Sequence, residues 1–130
     1  MKRNTNIQPN SIVSPRIKNN DDGIVQAKGD SAASHHYWRE KDARCLSNIQ
    51  RCHGTSVRLP NNEFIPSTQQ GLLPLSTKLS TRARTVKILP QLNSASLISM
   101  GQLCDDDCRV VLTKEHLVAV KDNEIILQGN

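Results

Sequence analysis

The sequence predicts an all-β domain, and three observations carry that prediction. From Thr55 onward, apolar and polar residues alternate in short runs. Turn-forming proline, glycine, asparagine or aspartate recurs at intervals of about 8–12 residues. No stretch shows the 3.6-residue period of a long amphipathic helix. Short strands with that spacing indicate a small β-barrel or sandwich.

Residues 1–22 read as a disordered tail or linker. They are rich in Asn, Ser, Pro and charge, from Met1-Lys2-Arg3-Asn4 to Asn19-Asn20-Asp21-Asp22, and show no period. Such a stretch buries too little apolar surface to offset its ordering entropy. The domain proper is expected over residues 23–130. Residues 24–34 run from strand into turn. His35–Asp42 is polar apart from Tyr37 and Trp38, which are expected to cap the edge of a small core.

Val57 and Leu59 alternate with Ser56 and Arg58, Pro60-Asn61-Asn62 supplies turn chemistry, and Phe64-Ile65 resumes the apolar run. That is a hairpin signal. Pro60 and Pro66 lack an amide donor, so the arms should be exposed or lie at a sheet edge. Leu72, Leu73 and Leu75 suggest a short strand interrupted by Pro74, and Thr85–Leu89 another, stopped by Pro90. Ser96–Gly101 is a buried-type run, followed by a helical turn over Gln102–Asp105. The C-terminal third reads as a three-strand meander: Arg109–Thr113, Leu117–Val120 and Glu124–Leu127, with turns at Lys114-Glu115 and Asp122-Asn123.

Composition narrows the function classes. The chain has 130 residues, 36% of them apolar, so it holds one domain with a modest core. Tyr37, Trp38 and Phe64 are its only aromatics, too few for the stacking platforms that single-stranded nucleic acids need. The net charge of +5 is scattered rather than gathered in a block, which points to a solvated basic surface, with weak non-specific RNA association as the sharper alternative. No apolar run is long enough for a membrane span and no signal-peptide core follows Met1. The expected location is therefore intracellular, in the cytoplasm, with four reduced cysteines.

The stretch with the most chemical promise is Asp30-Ser31-Ala32-Ala33-Ser34. Small residues after an acid let backbone amides approach its carboxylate and leave room for an extended substrate. Other constellations are weaker. The spacings Cys45-x6-Cys52-His53 and Cys104-x3-Cys108 match no common zinc pattern, so no metal is expected. Ser34 beside His35 lacks a third orienting group. Asp105-Asp106-Asp107 lacks the alternating ligands, glycine and closing Glu of a calcium loop. No phosphate-cradling glycine loop or dinucleotide fingerprint occurs, and no cofactor is expected.

Three blocks in order resemble the aspartic protease region of copia-type retrotransposon polyproteins. These regions carry Asp-Ser-Gly-Ala-Ser followed by a His and an aromatic, against Asp30-Ser31-Ala32-Ala33-Ser34-His35-His36-Tyr37 here. They carry a Leu-Pro-Asp-Gly type hairpin, matched by Leu59-Pro60-Asn61-Asn62. They continue with Pro-x-Leu, small or polar residues, then Leu-Leu-Ser-x-Gly-Gln-Leu, against Leu89-Pro90-Gln91-Leu92 and Leu97-Ile98-Ser99-Met100-Gly101-Gln102-Leu103. The resemblance spans residues 24–129 and implies a small retropepsin-like β-barrel with a flap hairpin.

It also implies a mechanism. Asp30 would be the catalytic acid/base, Ser31 would orient the carboxylates, and Ala32 and Ala33 would line the floor. Pro60, Asn61, Asn62, Glu63 and Phe64 would form the flap. Gly101, with Leu97 and Ile98, would support the active loop. Aspartic proteolysis needs two carboxylates sharing one proton around a water, because close like charges cannot both ionise. A single Asp30 thus implies a homodimer with the site on its two-fold axis, acting on its own polyprotein. Ala32 stands where the family has Gly, and its methyl is expected to restrict the turn and crowd the substrate strand. The competing reading is a catalytically inactive, retroelement-derived fragment that serves as a scaffold or interaction module.

Overall fold

The computed structural model describes residues 16–18, 24–59, 62–113 and 116–129. Their strands are β1 (Arg16–Lys18), β2 (Ile24–Asp30), β3 (His36–Arg39), β4 (Ser47–Arg58), β5 (Phe64–Leu72), β6 (Thr85–Leu89), β7 (Ser96–Ser99), β8 (Arg109–Leu112), β9 (Leu117–Lys121) and β10 (Glu124–Gly129). A 3-10 helix spans Glu40–Cys45, and two short helices, α1 (Thr81–Arg84) and α2 (Met100–Cys104), precede and follow β6 and β7. The chain is mostly β, as its alternation indicates, but not all-β. Both α-helices are single turns held by serine caps. Ser80 Oγ accepts the Ala83 amide and Ser99 Oγ the Gln102 amide. Segments this short carry no periodic signal, because only tertiary packing stabilises them.

Seven strands form one sheet in the order β1-β2-β7-β3-β6-β5-β4, and β10-β9-β8 form a second. The larger sheet is open, with β1 and β4 at its edges, so the expected closed barrel is not what the chain forms. Two of its inner pairs are parallel, β2 with β7 and β3 with β6, and they meet at an antiparallel β7–β3 pair. Parallel partners must come from distant sequence, so neither pairing is written into any local stretch.

Three local expectations change. A strand, β1, lies inside the segment read as tail, pairing antiparallel with β2; the other residues of 1–22 lie outside the described ones. Tyr37 and Trp38 do not cap an edge. They sit in central β3, where His36, Tyr37 and Trp38 are all buried, as expected of a strand covered on both faces. Leu73 and Leu75 are not a strand; they follow the end of β5.

The hairpin is longer than the sequence shows, with β4 starting at Ser47. β6 flanks β5 only from Gln69 onward, so Pro66 faces no donor-requiring neighbour on that side. The meander forms as read. Lys121 pairs with Glu124 across Asp122-Asn123, both at positive φ, as a two-residue I′ turn requires. The Lys114-Glu115 turn lies outside the described residues.

Alternation along the central strands divides the apolar side chains between the two faces of the larger sheet. Trp38, Val86, Ile88 and Ile98 join the main core, which the second sheet completes with Leu112, Leu117, Ala119, Ile126 and Leu127. Tyr37, Leu89 and Leu97 point the other way and pack with Ala33, Val57, Leu59, Ile65 and Leu92. The two faces meet different neighbours: β9 on one, the hairpin and the Asp30 loop on the other. Directly before Asp30 the chain has Gly29. Its missing side chain is replaced by Leu117 of β9, whose Cδ2 would lie 3.3 Å from a Cβ at that position.

Candidate active site

Asp30 ends β2 directly beside Ser99, the last residue of β7. It has no solvent exposure. Its Oδ1 accepts the Ala32 amide at 2.8 Å, the approach that small residues after an acid permit. Its Oδ2 is buried and has no hydrogen-bond partner among the described residues, a state that costs about 1–3 kcal/mol for a polar oxygen.

Ser31 and Ala32 are exposed and Ala33 is buried. Among the described non-glycine residues at positive φ, Ala32 does not figure. Its turn therefore needs no glycine and its methyl points outward. The expectation that this methyl restricts the turn is not met.

The loop is held by a buried polar network. Ser99 Oγ donates to the Ala33 carbonyl at 2.6 Å and accepts the Gln102 amide. The Ser99 amide donates to His36 Nδ1 at 2.8 Å, and His36 Nε2, which must then carry the proton, donates to the Ala83 carbonyl. Gln102 Oε1 accepts the His36 amide, while its Nε2 donates to the carbonyls of Arg82 and Thr85. One histidine, one serine and one glutamine thus tie the Asp30 loop to β3, β7, α1 and β6. Burial is the largest influence on His36 and brings its pKa down to about 4, so the ring is neutral at physiological pH.

Gly101, expected to support the loop, lies exposed on α2, and a Cβ there would make only ordinary contact with Ser99 Oγ. Ser99 makes the contact instead, while Leu97 and Ile98 are buried in β7. The sequence carries a signal for this. Ser99 interrupts an apolar run between Ile98 and Met100, and a polar residue buried mid-run must be bonded. Nothing local marks the side chains of His36 or Gln102, whose partners lie 47 and 63 residues away for the His36 ring and 17 to 66 for the Gln102 amide.

Of the flap residues, Pro60 and Asn61 lie outside the described residues. Asn62 has φ 70° and its side chain accepts from Arg58; Glu63 is exposed and Phe64 is 65% exposed. Val57, Leu59 and Ile65 bring this end of the hairpin onto Ala33 and Tyr37. A groove of about 280 Å³ remains between loop and hairpin, lined by Ala32, Ala33, Ser34, Tyr37, Arg58 and Leu59 among others. Asp30 does not line it.

Ser34 Oγ and His35 Nδ1 do approach, to 3.2 Å. No carboxylate orients His35. Burial, then Lys87 and Arg82, lower its pKa, which disfavours the imidazolium a catalytic base must form. No cluster of three or more potential metal-ligating His, Cys, Asp or Glu occurs among the described residues. The four cysteines are free, and burial pushes the Cys45 thiol up to about 11. No helix among the described residues is long and apolar enough to cross a membrane. No family model matches the chain, and no curated protein or solved structure does.

Proposed function

We propose that the chain supplies one half of an aspartic endopeptidase site, completed when two copies bring their Asp30 carboxylates together around a water. The supporting observation is the Asp30 carboxylate, whose Oδ1 is fixed by the Ala32 amide while its buried Oδ2 has no partner. A second carboxylate sharing one proton would satisfy that oxygen. One acid would then act as general base toward water while the other protonates the leaving amine. Ser31 would orient the pair, and the β4–β5 hairpin would fold over an extended polypeptide, the chain's own retrotransposon-type polyprotein. The chemistry calls for no metal or cofactor. Because Asp30 is fully enclosed in one chain, its loop must open as the two copies meet.

That enclosure also favours a second reading, in which the chain is an inactive retroelement-derived module that keeps its fold for scaffolding. Cleavage of a random peptide library, read by mass spectrometry over a protein concentration series, separates the two. The endopeptidase reading expects cleavage that grows faster than linearly with protein and vanishes in Asp30→Asn. Equal product from wild type and Asp30→Asn, or none at any concentration, leaves the scaffold reading.

A further inference from the structure

A second cavity lies on the same face of the sheet as the candidate site. It measures about 680 Å³, and Ser34 lines both it and the groove beneath the hairpin. The two therefore adjoin at Ser34, so that groove and cavity together make a channel-like path from the hairpin side across β3 and β6. The far part is polar. Lys87 of β6 stands in register between Tyr37 of β3 and Gln70 of β5, and Arg82 reaches the cavity from α1.

These cations have no ion-pair partner among the described residues. They lie close enough to His35 for both to lower its pKa, so three nitrogen-bearing side chains converge on one end. The two acids that line the cavity, Asp105 and Asp106, do not answer them. Asp106 is engaged by Lys121 at 2.8 Å and by the Ser80 amide at 2.9 Å, and its pKa falls to about 2, chiefly through the Lys121 bond. Asp105 is exposed beside it. The cavity is polarised, with the unpaired cations Arg82 and Lys87 beside His35 and the Asp106 carboxylate taken up by Lys121.

We propose that this channel binds an extended peptide through an acidic side chain, with Arg82 and Lys87 as the residues that select it. This rests on the endopeptidase reading for its substrate class and adds the specificity. A carboxylate would take charge-assisted hydrogen bonds from both cations, and Thr81, Thr85 and Gln70 offer neutral donors and acceptors for the peptide backbone. The only rings along this path are His35 and Tyr37, which lie tilted against each other, short of the successive platforms that stacked bases need, so a peptide suits it better than RNA.

The test uses the full chain carrying Asp30→Asn, so that binding is read without turnover, and a short fluorescein-labelled peptide with one central Glu or, in its twin, Gln. Fluorescence anisotropy should show the Glu peptide bound about tenfold more tightly. In Arg82→Gln/Lys87→Gln the preference should fall below about twofold, while Lys41→Gln/Arg109→Gln, which removes two exposed cations elsewhere, should keep it. Lys87→Glu should turn the preference toward a Lys peptide. Equal binding of the Glu and Gln peptides overturns the proposal, as does equal loss in the two double variants, or displacement of the Glu peptide by an oligouridylate at matched charge. A Glu preference in a chain whose wild type cleaves nothing would remove the endopeptidase reading and leave the channel standing. Cleavage without a Glu preference would do the reverse.

Discussion

The Asp30 loop and the β4–β5 hairpin face each other across the candidate site, yet they are stabilised in opposite ways. Around the loop, His36, Ser99 and Gln102 are buried, and every polar atom of their side chains is bonded. The hairpin is largely exposed, and its ladder slips register twice, between Ser47 and Gln50 and between Arg51 and Thr55. Directional bonds with no solvent substitute hold the Ala33 end of the loop in one position, so the opening that would expose Asp30 falls on Ser31 and Ala32. With its ladder broken at the base and only a small apolar patch beneath its tip, the hairpin has fewer contacts to hold it in place than the loop has. A site that must admit a polypeptide needs both: fixed chemistry on one wall and a movable cover on the other.

The strongest way to break this contrast is Gln102→Leu. It strips partners from the His36 amide and from the carbonyls of Arg82 and Thr85, and should cost about 4 kcal/mol at roughly 1–3 kcal/mol per orphaned buried group. Urea unfolding measures it. A cost under 1 kcal/mol would mean that the network is not what holds the loop.

Acid is a subtler probe of the same network. His36 has an ordinary unfolded value near 6.5 and a folded value of about 4, so between these the unfolded chain binds more protons. Stability is then fully present above about pH 6.5, declines as pH falls, and has lost roughly 3 kcal/mol by pH 4. Denaturant midpoints across that window should slope in wild type and lose most of that slope in His36→Gln.

Ala32→Gly lies at the border of the two regions. Because Ala32 is exposed and not at positive φ, the change should destabilise by about 0.4–1 kcal/mol through the unfolded chain's added freedom. A stabilisation would mean that the turn is strained by its methyl after all. On the hairpin side, Phe64→Ser at a 65% exposed position should shift stability by no more than about 0.5 kcal/mol, read by thermal melting. A larger loss would mean that the ring is packed in solution.

What the sequence shows well is what neighbours decide. The hairpin signal at Val57–Ile65, the I′ turn at Asp122-Asn123 and the small-residue turn after Asp30 all depend on residues within a few positions, and each is found. What it hides is set by distant partners. Parallel β2–β7 joins Lys28 to Leu97, β3 is central although its flanks are polar, and His36 becomes structural only because Ser99 and Ala83 meet it. Open rather than closed architecture follows from the same source, since whether β1 and β4 meet is not encoded by either strand alone.

In the proposed endopeptidase one chain carries half a site. Sedimentation velocity on wild type over a wide concentration series tests it most directly. The proposal predicts a monomer–dimer equilibrium shifting toward dimer as concentration rises, because in it the carboxylate of a second copy partners the buried Asp30 Oδ2. A single monomeric species at every concentration would leave that carboxylate alone and contradict it.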